Sequence, residues 1–234
     1  LSKKVKIKTF AKSDVGLVRQ NNEDVFAVLH EENFFIVADG MGGHKAGEIA
    51  AQKAVDYMCG AIKTLPEISC IHELSSKVQL FIESANYWVN HLGNKDPSLK
   101  GMGTTLCSLL LHEKRVLFSH VGDSRIYLLR ENILNPLTTD HSVPHQIYTK
   151  KRILTRVVGT SPEVFPEIKH EEIRKGDIYL LCSDGLTDLL DDREIEKVIN
   201  SKGSLEEKGD LLIQMAKSRG GHDNITLVLV EIEE

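Results

Sequence analysis

The sequence has no surplus of basic residues: 29 lysines and arginines stand against 34 aspartates and glutamates, a formal charge of −5 over 234 residues. Nucleic acid or an anionic membrane surface calls for a dominant basic patch, so neither is an expected partner, and an acidic balance suits cations instead. Long apolar runs are missing too. Nothing approaches the ~18 residues of a membrane span. The four lysines between Leu1 and Phe10 are not followed by the apolar segment of a secretory signal. Because the first residue is Leu, a segment ahead of it stays open. Cysteine is scarce, and Cys59, Cys70, Cys107 and Cys182 lack CxxC or other metal-ligand spacing. Cys107 and Cys182 lie inside apolar runs, so buried free thiols in a reducing cytoplasm are expected, with a disulfide between distant cysteines left open. No repeat, low-complexity tract or linker divides the chain. One domain over residues 1–234 is the expectation, and an apolar content of 41% suffices for a substantial core.

What is present centres on FFIVADGMGGHKAG, Phe34 to Gly47. The run Phe34 to Ala38 reads as a buried strand that closes on Asp39, after which Gly40, Gly42 and Gly43 let backbone approach whatever that carboxylate holds. Asp-Gly between apolar runs is equally the signature of a hairpin turn. Around it, Lys6 to Ala11 reads as an edge strand and Val25 to Leu29 as a strand before Phe34. An amphipathic helix is predicted from Gly47 to Ile62. A second is predicted from about His72 to Gly93, with Ile71, Leu74, Val78, Phe81, Ala85, Trp88 and Leu92 as its buried stripe. Leu106 to Leu111, Arg115 to Val121 and Arg125 to Arg130 read as an antiparallel meander. Residues 136–166 hold four prolines and read as irregular, and Ile178 to Ser183 is a further strand. Asp191 with Glu194 and Ser204 with Glu207 are helix-starting signals, and Ile225 to Ile232 is a closing strand. Strands in runs with helices in pairs favour antiparallel sheets covered by helices, an α+β architecture.

Three of these strands end on an aspartate, at Asp39, Asp123 and Asp184, and the closing strand begins after Asp223. If that strand runs antiparallel to the others, all four carboxylates share one rim. At ~5 Å and an effective dielectric of ~20, each pair of like charges would cost roughly 3 kcal/mol. Protonation or divalent cations would offset it. Oxygen-only donors with no suitably spaced His or Cys point to hard ions such as Mg²⁺ or Mn²⁺. Singly, each aspartate is also ordinary turn chemistry. Arg19, ahead of Glu23 and Asp24 in RQNNED, adds a planar fork suited to a phosphoryl group.

In chain order, Arg19 with Glu23-Asp24, Asp39-Gly-Met-Gly-Gly, Gly101-Met-Gly-Thr-Thr, Gly122-Asp-Ser-Arg, Asp140-His-Ser, Ser183-Asp-Gly and Asp223-Asn224 resemble the type-2C (PPM) metal-dependent protein serine/threonine phosphatases of bacteria. The match covers nearly the whole chain. It implies a four-layer α-β-β-α sandwich, with two central, mainly antiparallel sheets flanked by helix pairs. By the same resemblance Asp39 bridges two Mn²⁺ or Mg²⁺ ions. Asp184 and Asp223 complete one ion, and Glu23 with the Gly40 carbonyl serves the other. Asp24 orients bound water, Arg19 holds the substrate phosphate, and Asp123 helps hold a third ion. The implied reaction is hydrolysis of phosphoserine and phosphothreonine on proteins by a metal-activated water, opposing a cognate protein kinase, by a monomer. A silent, phosphoprotein-binding member of the fold is the alternative. A nucleotide-binding loop at Gly40 to Gly47 is disfavoured by the absence of a P-loop Lys-Ser/Thr.

Two features depart from the family pattern. Met41 stands where some members carry a histidine proposed to protonate the leaving oxygen, which turns attention to a metal-bound water or to His44. The flap is short, at about residues 143–153, and basic, so that Lys150, Lys151 and Arg152, with His145 and Tyr148, are expected to face a phosphopeptide.

Overall fold

The computed structural model describes residues 5–42, 46–144 and 152–234. Its elements in chain order are β1 (Ile7–Asp14), β2 (Asp24–Leu29), β3 (Phe34–Met41), α1 (Ala46–Lys63), α2 (Ile71–Lys95), β4 (Gly103–Thr104), β5 (Leu106–His112), β6 (Arg115–Val121) and β7 (Arg125–Arg130). There follow β8 (Ile133–Pro136), β9 (Ser142–Pro144), β10 (Arg152–Leu154), β11 (Glu167–Glu172), β12 (Ile178–Cys182), α3 (Asp184–Thr187), α4 (Asp192–Ile199), α5 (Leu205–Ser218) and β13 (Ile225–Ile232). One sheet has the order β11-β6-β5-β3-β2, the other β1-β13-β12-β7-β8, and the named pairings are antiparallel. The expected four-layer α-β-β-α sandwich is the observed fold.

Period-two alternation explains why the strands read as continuous apolar runs. In β3, Phe34, Ile36 and Ala38 pack toward α1 and α2, while Phe35 and Val37 face the second sheet. The β12 and β13 strands divide in the same way. Tyr179, Leu181, Val228 and Val230 enter the inter-sheet core, and Leu180, Cys182, Leu227 and Leu229 pack under α4 and α5. Each buried Val, Leu, Ile or Phe among them contributes roughly 1.5–3 kcal/mol. Both predicted helix starts are reciprocal capping boxes, Asp191 with Glu194 and Ser204 with Glu207.

Four expectations need correction. The β5, β6, β7 meander breaks at Gly122-Asp123-Ser124, because β6 pairs with β5 and β11 while β7 pairs with β12 and β8; that turn carries the chain from one sheet to the other. The stripe on α2 is Ile71, Leu74, Val78, Ile82, Ala85, Asn86 and Val89, with Trp88 55% exposed. The predicted stripe advanced 3.5 residues per turn, and a straight helix drifts ~20° per heptad against that repeat, enough after two heptads to carry position 88 outward. Residues 136–166 include the β9–β10 hairpin. The edge strand β11 escaped prediction because EIKHEE is charged, as exposed edges tend to be. Of the cysteines, Cys107 and Cys182 are buried, but Cys70 is exposed and all four are free. Among the described residues no helix is long and apolar enough to cross a membrane.

Candidate metal centre

The acids meet because of strand direction. β13 runs antiparallel to β12, so its first residues lie beside the last residues of β12, with Cys182 opposite Leu227. In β3, Asp39 continues the parity of Phe35 and Val37 and so belongs to the inter-sheet face at the mouth of the sandwich. There a cleft of about 310 Å³ is lined by Arg19, Glu23, Asp39, Gly40, Met41, Asp123, Asp184 and Asp223, with Thr105, Leu154 and Asn224. The carboxylates nominated as ligands from the sequence therefore share one wall-to-wall space. Asp24 does not line it. Paired in register with Asp39, it is 7% exposed and accepts a 2.7 Å hydrogen bond from the Ser183 hydroxyl. Lys150, Lys151, His44, His145 and Tyr148 lie outside the described residues, and of Arg152 the backbone alone, in β10, is described.

The cleft is held by a set of exchanges around Asp39. Its amide donates to the Thr105 hydroxyl at 2.9 Å, and its carbonyl accepts the Thr105 amide at 2.8 Å and the Thr104 hydroxyl at 2.9 Å. The Gly40 amide donates to the Glu23 carbonyl at 3.1 Å. Glycine is required here by proximity: a Cβ on Gly40 would meet the Gly47 carbonyl oxygen at 2.1 Å, and one on Gly47 would meet Glu23 Oε2 at 2.2 Å. Asn224 fixes the loop bearing Arg19 and Glu23. Its side chain accepts the Glu23 amide at 2.8 Å and donates to the carbonyls of Val15 at 3.0 Å and Asn21 at 2.9 Å. Arg19 itself is half exposed and pairs with Asp223 at 2.7 Å. On the far side, Arg125 grips Asp140 through two 2.8 Å bonds, and the amide of Gly122 donates to His141 Nδ1 at 3.2 Å, which anchors the turn carrying Asp123.

Electrostatics shows what the cleft wants. Burial, reinforced by Asp24, Asp184 and Asp223, pushes the Asp39 carboxyl well above its ordinary value. Asp184 is pushed up to about 8 by burial and by Asp123, Asp188 and Asp223. Asp24 is raised to about 6, chiefly by burial, and so is Asp123, with Asp140 adding to it. Glu23 is raised by burial against the pull of Arg19. Asp184 Oδ1 and Asp24 Oδ1 are buried without a hydrogen-bond partner. A set of carboxylates this strained toward protonation, with orphaned oxygens, fits divalent cations in the cleft.

A second cluster does not fit a metal. His120, His141 and Glu167 offer ligand atoms within 4.8 Å of one another. Yet the two imidazoles stack at 4.3 Å with 21° between planes, and an ion must lie in the plane of each ring that binds it. Stacked rings have no such common point. Arg156 Nη1 also stands 3.2 Å from His141 Nε2 and brings a positive charge.

Sequence reasoning left Asn224, Ser183 and Asp140 without roles. Each stood inside a quoted motif, but its work is hydrogen bonding across the chain, for which residue spacing gives no signal.

Comparisons with known proteins cover nearly the whole chain. A family model described as protein phosphatase 2C matches residues 16–226. The chain is similar to the serine/threonine phosphatase Stp of Listeria monocytogenes, 36% identical over 236 residues with 94% of each chain covered. It superposes on the serine/threonine phosphatase PstP/Ppp of Mycobacterium tuberculosis with a TM-score of 0.87 at 33% identity, covering 97% of this chain and 99% of the other. The catalytic domain of PstP in complex with two manganese ions gives 0.85 at 34% identity, with 97% and 99% covered.

Proposed function

The chain belongs to the protein phosphatase 2C family, and from that premise we infer that it is a metal-dependent protein phosphatase that hydrolyses phosphoserine and phosphothreonine on proteins. The observation that carries the reading is the gathering of Arg19, Glu23, Asp39, Asp184 and Asp223, residues up to 204 positions apart, around one cleft. A silent member would be expected to have lost one of them.

Metal dependence goes with the family and with the oxygen-only donor set. Two ions, Mn²⁺ or Mg²⁺, would be held by Asp39, Asp184, Asp223, Glu23 and the Gly40 carbonyl, all of which line the cleft. When bound, the ions supply Lewis acidity and an activated water for in-line attack at phosphorus. The chain's own residues do the rest. Arg19, released from Asp223, turns its guanidinium fork to the phosphoryl oxygens and orients the ester. Asp24, fixed by Ser183, offers an acceptor beneath the cleft, and Asp123 adds a carboxylate for a third ion. Lys150, Lys151 and Arg152 are assigned to the peptide on either side of the phosphoresidue. Residues 1–234 would form one phosphatase domain, acting as a cytoplasmic monomer opposite a Ser/Thr kinase.

The test is turnover of a phosphothreonine peptide. Activity requires Mn²⁺ or Mg²⁺ and vanishes on chelation, and Asp223→Asn lowers it by several orders of magnitude with the fold intact. Metal-independent turnover, or a near-normal rate in the variant, would overturn the assignment.

A further inference from the structure

The sandwich has a second opening at the pole opposite the metal cleft. There Ile232 ends β13, His112 ends β5, and the tight turn from β5 into β6 brings in Glu113 and Lys114. An eight-residue strand such as β13 spans roughly 25 Å, which separates this pole from the aspartates. The cavity at this pole, between the sheet ends and the start of α2, measures about 810 Å³ and is larger than the metal cleft. Val5, Ile173 and Ile232, at the end of the inter-sheet core, and Ile71, at the end of the core under α1 and α2, form its apolar wall.

Its rim carries charge. Lys114, Arg115 and Lys175 line it and make no ion pair among the described residues, against two lining acids, Glu113 and Glu234. His112 lines it as well. The first turn of α2 enters the wall at Ile71, and its N-cap residue, Cys70, provides no side-chain cap. Apolar walls with a few convergent polar groups are the usual make-up of a small-molecule site, and 810 Å³ lies within the range that such sites occupy. Unpaired cations at the rim and an uncapped helix start favour a negative head group.

We propose that this polar-rimmed cavity is a binding site for an amphipathic anion, with an apolar body inserted between the sheets against Ile173 and Ile232 and a carboxylate or phosphate head held at Lys114, Arg115 and Lys175. It is independent of the metal centre and of the phosphatase reading.

Decanoate and decyl phosphate are the probes, titrated into the full chain by calorimetry below their micelle-forming concentrations, in EDTA so that neither head group can bind metal in the cleft. Saturable binding of one or both at a single site is expected, with the tighter probe identifying the head group. Decanol should bind at least tenfold more weakly than that probe. Lys114→Glu combined with Lys175→Glu should weaken the anion at least tenfold, and Ile173→Trp, which narrows the apolar wall where the body would lie, should weaken it severalfold. The variants' Mn²⁺-dependent hydrolysis of p-nitrophenyl phosphate should match wild type, which shows that they fold. Absence of saturable binding, equal affinity for decanol, or an affinity unmoved by charge reversal each overturns the proposal.

Discussion

Asp184 gives the sharpest test of the electrostatic account, because the same residue should cost stability and supply function. In the metal-free protein its carboxyl is pushed from 3.8 to about 8, first by burial and then by Asp123, Asp188 and Asp223. The folded state holds the proton more tightly than the unfolded state, so this group's contribution is intact below about pH 4 and is lost as pH rises through 8. At about 1.4 kcal/mol per pH unit, the loss by pH 8 has a ceiling on the order of 5 kcal/mol, and relaxation among the neighbouring carboxyls brings it nearer 2–4. For a chain of this size each kcal/mol moves the melting temperature by about 2–4 °C. In EDTA, wild type should therefore melt some 5–15 °C lower at pH 8 than at pH 4. Asp184→Asn, neutral throughout, should remove much of that slope and melt above wild type at pH 8, while losing phosphatase activity. Saturating Mn²⁺ should raise the wild type at pH 8, by about 2.7 kcal/mol at a hundredfold excess over Kd, and raise the variant less. Thermal melts followed by circular dichroism decide the matter. If Asp184→Asn melts at or below wild type at pH 8 in EDTA, the carboxylate is not under the repulsion described and the reasoning fails.

Other residues give separate tests. Arg19→Ala should lower kcat/KM on a phosphothreonine peptide roughly 10- to 100-fold, the worth of 1.5–3 kcal/mol in charged hydrogen bonds, with Arg19→Lys recovering part; unchanged kinetics would remove Arg19 from phosphate binding. Ile82→Ala should cost about 2–5 kcal/mol in urea unfolding and Trp88→Ala less than about 0.5, and the reverse order would mean that α2 faces the sheet differently. Asn224→Ala frees the Glu23 amide and two carbonyls, so the Mn²⁺ concentration for half-maximal activity should rise several-fold while the saturated rate changes less. An unaltered metal dependence would confine Asn224 to a structural role.

Where the sequence was legible, the reason was repetition. Buried strands announce themselves because both faces of β3, β12 and β13 are covered, which leaves unbroken apolar runs that end abruptly on an acid. Helix starts at Asp191 and Ser204 were legible because a capping box is written in four consecutive residues. What failed was non-local. Gly122-Asp123-Ser124 reads as a hairpin turn, and only pairing partners reveal it as a crossing between sheets. Trp88 follows from a repeat of 3.5 carried too far along a straight helix. β11 has one apolar residue in six, Ile168, so no pattern marks it, and its place is set by the open edge of β6.

The same non-local logic explains how a rim of carboxylates can sit on an apolar core. Between the two lies a layer of neutral donors, scattered over several motifs. Ser183 donates to Asp24 at 2.7 Å and accepts the Thr226 amide at 3.0 Å. The Thr226 hydroxyl pairs with Ser13 at 2.6 Å, and Asn22 donates to Ser13 at 2.7 Å. Across the mouth, Thr105 pairs with Ser124 at 2.6 Å while its hydroxyl receives the Asp39 amide. Ser183, Thr226, Thr105 and Ser124 are at most 2% exposed. Hydroxyls can satisfy backbone and carboxylate groups there without adding charge. A lysine or arginine in the layer would neutralise the acids permanently and remove their need for metal. The neutral layer instead keeps the sheets in register and leaves the negative charge of the cleft to be balanced from outside, by cations and by Arg19.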